Sequence, residues 1–300
     1  MKRAYNDRKP IVELIIGLIV RWAFLCGVVF VIICLIDILS SAFGNKQSGT
    51  PLAFRLIFAA IGSFIANLLL YFFITPRLNK TFSRYHRLLM KIADEGYSDE
   101  TISAMEEQLE ICQKDREKDL PFITHYALFL SEAYLSLHRY REAEEKLKLV
   151  DMEYMANQAR IPSDKGAHQN IITLHVLWIQ LYSARNDIEM TEHWVRCGEK
   201  YFTQFRGNNR ITDYFIDTAY FESLLVHGQY ENALKLLEKY NGDEQLAFGI
   251  ELDKGRCYKR MGLLREAAAA FDAAYGLAIN DWRRSMVDFE RDAAPTDTLN

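Results

Sequence analysis

Two long apolar runs stand early in the chain, and an amphipathic, helix-periodic pattern fills the remainder. Residues 11–39 hold 24 apolar side chains in 29, and residues 52–74 hold 19 in 23. Either run supplies the ~20 apolar residues needed to cross a ~30 Å hydrocarbon core. Between them lies a twelve-residue loop, Ser40–Pro51, containing the turn formers Gly44, Asn45, Gly49 and Pro51. The pattern predicts a two-helix transmembrane hairpin over residues 1–76. Polar interruptions are few. Arg21 and Asn67 would fall at similar depth in an antiparallel hairpin, and Asp37 and Arg55 would fall nearer the loop. Their expected role is to lock the two spans, because ionisable groups in a bilayer are costly and are usually paired or snorkel. Small residues such as Gly27, Gly62 and Ala66 permit close helix approach, which suits hairpin packing or a homo-oligomer through the spans.

A basic amphipathic neck follows. Leu78, Phe82, Tyr85, Leu89 and Ile92 recur at helical spacing, interleaved with Arg77, Lys80, Arg84, Arg87 and Lys91. Such a helix suits a bilayer with anionic headgroups, each base near the surface adding ~1 kcal/mol. Basic and aromatic residues together also suit nucleic acid, but the adjacent apolar run points to lipid, so no nucleic-acid partner is expected. Composition sharpens this division. The 300 residues are 50% apolar with a net charge of −4, which excludes disorder and a supercharged binder. The average conceals +9 over residues 1–91 and −13 over residues 92–300. Cations flanking both apolar runs, and a single Lys46 in the loop, predict a two-pass protein of the cell membrane with both termini cytoplasmic.

From about residue 120 a phrase recurs: a small or polar residue, any residue, an apolar one, two polar ones, then Ala or a substitute. It starts at His138, Asn186, Gly228 and Gly262. The last two starts are 34 residues apart, and flanking residues keep the interval, as in Phe221 to Gly255 and Leu237 to Phe271. Each unit reads as two helices about a tight turn. In the clearest, the first helix covers 252–261, Gly262 turns, and the second covers 265–277. The stretch 152–170 and the loop 206–210 lengthen two junctions. A degenerate pair is expected within 77–119, turning at Gly96-Tyr97, with Ile102 and Met105 on its second helix. Residues 279–300 read as a capping helix with Trp282, Val287 and Phe289, then a tail.

These units resemble the tetratricopeptide repeat, whose period is also 34 residues. The resemblance covers roughly 120–278 and implies an all-α fold, a TPR-like α-solenoid of helix pairs following the hairpin. It implies further that first helices line a concave surface that binds a protein or peptide partner. The expected groove residues are Phe215, Thr218, Glu222, Leu225, Leu252, Arg256, Lys259 and Arg260. Arg256 would offer a bidentate contact to a partner's carboxylate.

Catalytic chemistry has little to stand on. No phosphate-binding glycine loop, nucleophile elbow or H-E-x-x-H is present. The seven histidines are scattered, and the five cysteines form no C-x-x-C pair, so no catalytic residue, metal site or cofactor is expected. The expected function is a non-enzymatic, membrane-anchored scaffold or adaptor. The alternative is an accessory subunit of a transport or translocation complex whose spans join other membrane helices.

Overall fold

The computed structural model describes residues 75–161 and 164–293, together with Ile61. The chain divides into two compact units, Met1–Tyr85 and His86–Asn300. Among the described residues the regular structure is entirely helical. The elements are α1 (Thr75–Glu95), α2 (Asp99–Gln113), α3 (Arg116–Ser136), α4 (Tyr140–Leu147), α5 (Met152–Gln158) and α6 (Lys165–Ala184). They continue as α7 (Ile188–Phe205), α8 (Arg210–Val226), α9 (Tyr230–Glu238), α10 (Ala247–Arg260), α11 (Leu264–Leu277) and α12 (Asp281–Asp292).

The expected transmembrane hairpin, and with it the two-pass placement with cytoplasmic termini, needs correction. Among the described residues no helix is long and apolar enough to cross a membrane. The physical reason is charge and polarity in the long helices. Helix α1 carries Arg77, Lys80, Arg84, Arg87 and Lys91, and α3 opens on Arg116-Glu117-Lys118-Asp119. Helix α6 holds Lys165, His168, Asn170 and His175. The apolar runs 11–39 and 52–74, with Arg21, Asp37, Arg55 and Asn67, lie outside the described residues.

The repeating phrase becomes a repeating backbone. His138, Asn186, Gly228 and Gly262 all have positive φ, at 57°, 55°, 67° and 76°. Each ends a first helix in the same way. The amide of the next residue bonds back five residues, as Arg139 N–H to the Tyr134 carbonyl and Leu263 N–H to the Tyr258 carbonyl. The left-handed residue's own amide bonds back three, as His138 to Leu135 and Gly262 to Lys259. This paired closure satisfies carbonyls that a helix end would otherwise strand, and it needs one left-handed residue. Gly takes that conformation freely, and Asn tolerates it. The polar start of the phrase is therefore a turn requirement.

The four pairs are α3/α4, α6/α7, α8/α9 and α10/α11, with α2 packed on α3 before them. Successive pairs stack through α3 on α6, α6 on α8 and α9 on α10. The long junction at 152–170 contains α5, capped by the Asp151 side chain accepting from the Tyr154 amide. Asp164, Asp187 and Asn209 cap α6, α7 and α8 likewise, each worth ~1 kcal/mol.

Small residues set the nesting distance within a pair. Phe221, Leu225, Ala233, Leu237, Ile250 and Cys257 form one buried cluster. Phe248, Leu252, Ala267, Phe271, Ala274 and Val287 form the next. A Cβ at Gly255 would overlap the Phe271 ring, so only glycine lets α10 and α11 approach this closely. Helix α10 starts five residues before the expected 252, because Phe248 and Ile250 are buried and belong to its packed face.

Candidate protein-binding site

The expected groove residues fall into three environments. Leu225 is buried in the core between α8 and α9. Thr218 is buried, its hydroxyl donating to the Tyr214 carbonyl. Phe215 and Arg260 are half-buried. Glu222, Leu252, Arg256 and Lys259 come together on the first-helix side of the array, and there the structure adds groups that local pattern did not select.

Arg256 is the centre of that group. It donates bidentately to Glu222, with Nη1 to Oε1 at 2.7 Å and Nη2 to Oε2 at 3.1 Å. Nη1 also reaches Asp253 Oδ1 at 3.0 Å, and Nε lies 3.6 Å from Glu290 Oε1 on α12. Glu222 has almost no exposed surface, and its second oxygen accepts from the Ser183 hydroxyl at 2.6 Å. Thus α6, α8, α10 and α12 are tied through one guanidinium. The bidentate contact expected with a partner is made inside the chain.

Burial, and secondarily the neighbouring Glu222 carboxylate, push Asp253 up to about 6, although Arg256 works in the opposite direction. Three carboxylates around one guanidinium cannot all be neutralised by it. Burial likewise raises the Tyr214 hydroxyl, which donates to Asp253 Oδ2 at 3.4 Å, well above its ordinary value. A signal for the central pair was present in the sequence: Glu222 and Arg256 are 34 residues apart, the repeat interval itself. Equivalent positions in successive units carry opposite charge.

Helix α12 lies across this face. It leaves Leu264 at the start of α11 70% exposed, and Ile279 in the link that follows α11 69% exposed. Its inner stripe is Trp282, Arg283, Met286, Val287 and Glu290, at the spacing of one helical face. Val287 is fully buried against Phe248, Leu252 and Phe271, with Met286 beside them. Arg283 stacks over the Phe248 ring at 4.8 Å.

The N-terminal end of α12 reaches the start of the array. Trp282 Nε1 donates to Ser136 Oγ at 3.0 Å, and the indole meets the Tyr97 ring edge-on at 4.8 Å. Asn280 Nδ2 donates to the Asp94 carbonyl at 3.4 Å. Gly96, with φ of 77°, lies so close to Trp282 that a Cβ there would sit 2.6 Å from the Trp282 Cβ and 2.7 Å from its indole ring. At the other end Lys259 Nζ donates to the carbonyls of Glu290 and Arg291 at 2.6 and 2.9 Å, and to that of Ala293. A cation over the last carbonyls of a helix complements its dipole. His138 Nε2 stands 3.7 Å from Glu290 Oε1.

The neck cations are placed on α1. Arg84 and Arg87 are exposed, whereas Lys91 pairs with Glu100 at 2.8 Å and Glu95 at 3.8 Å. The side chains of Arg77 and Lys80 lie outside the described residues.

Away from this face, a small cavity of about 120 Å³ is lined by Thr124, His125, Tyr154, Asp164 and Asn170 among others. His125 Nδ1 engages the Pro121 carbonyl at 2.7 Å, and its Nε2 meets the Asn170 amide at 2.9 Å. Burial lowers its pKa, and both ring nitrogens are engaged, which suits a positioned neutral ring better than a proton carrier. Among the described residues no group of three His, Cys, Asp or Glu side chains could hold a metal ion. Comparison with protein-family models, curated proteins and solved structures gives no match.

Proposed function

We propose that residues 86–293 form a non-catalytic, tetratricopeptide-like scaffold that binds a partner protein on its first-helix side. The observation that supports it is the way four helix pairs, each closed by the same left-handed turn, stack in series, with α8 and α10 joined through Glu222 and Arg256. On the first-helix side an amphipathic helix is held by an apolar strip, a guanidinium and a lysine. A surface that holds one helix by side-chain stripe and helix end has the chemistry for helix-in-groove recognition.

The test uses the full chain, tagged and cross-linked in its native cells. A stoichiometric protein partner is expected, and its recovery should fall when half-buried Phe215 and Arg260 are changed together to Ala and Glu. Recovery of no stoichiometric protein, or of one indifferent to these changes, would remove the adaptor reading.

A further inference from the structure

The helix that occupies the first-helix face differs from the helices that build it. Eight of the twelve residues of α12 are charged or serine, and Val287 is its one fully buried side chain. It is joined to α11 through Ala278, Ile279 and Asn280, preceded by the exposed Gly276, where nothing lies within 4 Å of an added Cβ. Its seat is polar at both ends and apolar in the middle. Half-buried Glu132 lies at the Trp282 end, where its Oε2 accepts from the Tyr97 hydroxyl at 2.7 Å and its charge acts on Arg283. Arg256, Lys259 and His138 stand at the other end around Glu290.

Two features make the seat independent of its occupant. Arg256 keeps Glu222 as its bidentate partner whether or not Glu290 is present, so removing α12 strands no buried charge there. Lys259 reads main-chain carbonyls, which any helix ending at that point would offer.

We propose that this face is a docking site for an amphipathic helix of a partner protein, and that α12 is the chain's own occupant of it. The partner helix carries an aromatic residue at its start with a base beside it, apolar residues four and five positions on, and an acid at the eighth. That is the spacing of Trp282, Arg283, Met286, Val287 and Glu290, and the charges match Glu132 at one end and Arg256 with Lys259 at the other. The inference rests on the adaptor reading in taking this occupant from another protein. A three-residue tether holds α12 at an effective concentration on the order of mM, so the partner binds in competition with it, at an affinity reduced by the fraction of time the seat is open.

The experiment uses the full chain, unaltered and with Trp282→Ala and Val287→Asp to undock α12. The probe is a labelled synthetic peptide of residues 279–293, with a scrambled control. The peptide is expected to bind the undocked chain about tenfold or more tighter than the unaltered one. Adding Lys259→Ala should weaken it, and the scrambled peptide should not bind. Equal binding to both chains, or no binding to an undocked chain of unchanged helical circular dichroism, would overturn the proposal.

Hydrogen exchange on the unaltered chain keeps the test independent of those substitutions. Amides of α12 should exchange through an opening that leaves α8 and α10 protected, and exchange of α12 only together with α10 would count against it. If the peptide binds but partner recovery ignores Phe215 and Arg260, the adaptor reading and the partner helix fall together, and only the seat for α12 stands. If the peptide fails, the seat falls whatever recovery shows.

Discussion

The last helix pair has two flanks, and they are treated oppositely. On one, Phe248, Leu252, Arg256 and Lys259 lie under α12. On another face of α11, Leu264 and Tyr275 stay 70% and 41% exposed, as do Leu277 and Ile279 at and beyond its end, at 42% and 69%. Apolar side chains stand on both, and burying them is worth about 25 cal/mol per Å². The chain covers the first. What that flank offers is a set of directional groups that fix a helix in one position, at one register and one polarity: an indole donor site at Ser136, a guanidinium facing Glu290, and a lysine over the helix end. Apolar surface attracts a helix without specifying it, and the polar seat decides which way it lies.

The largest effect expected is at the centre of the covered flank. Arg256→Ala leaves Glu222 buried without its cation and should cost about 3–5 kcal/mol in denaturant unfolding. A double change of Arg256 and Glu222 to Met should recover part of that, because the buried Glu222 charge is then gone and only Asp253 still loses its cation. A double change as damaging as the single would show that the pair itself, and not the orphaned carboxylate, carries the loss.

Next comes pH. Asp253 has a folded-state pKa of about 6 against an ordinary 3.8, so between those values the folded chain binds more protons than the unfolded one. Its contribution to stability is therefore present at low pH and is lost as pH rises from about 4 through 6, by up to about 3 kcal/mol. Asp253→Asn should flatten that part of the stability profile relative to wild type. An unchanged slope would mean that the carboxyl titrates normally.

Gly255→Ala forces a methyl into the Phe271 ring and should cost about 1–3 kcal/mol. The smallest effect belongs to the open flank, where Leu264→Glu or Ile279→Glu should change stability by about 0.5 kcal/mol or less. A loss comparable to that of Gly255→Ala would show that the open flank is covered in solution, and the contrast between the flanks would then disappear.

The helix pairs were legible because their turns recur at a fixed interval and every turn needs the same left-handed residue. His138 and Asn186 fit the phrase as well as Gly228 and Gly262 do, and all four turn the chain. The start of α10 was missed because Gly249 breaks its pattern, although Phe248 and Ile250 on either side are buried. Among the groove residues, the pairing of Glu222 with Arg256 was encoded in the repeat interval but is invisible when each helix is considered alone. The path of α12 had no local signature. Periodicity shows that a helix has an apolar face and is silent on which surface 146 or 186 residues away will receive it. The membrane expectation rested on runs outside the described residues, and the long helices that are described are too polar to span a bilayer.

Stacked helix pairs ordinarily touch only their neighbours, so such arrays can unzip from either end, one pair at a time. The Trp282 indole against Ser136 and Gly96 changes that topology by fastening the last helix to the first pair. The string becomes a closed loop. Its closure must wait for every pair between, a contact of high sequence separation that slows folding. While α12 is seated, neither terminal pair is free to peel away alone, and the opening of α12 is the step that releases them.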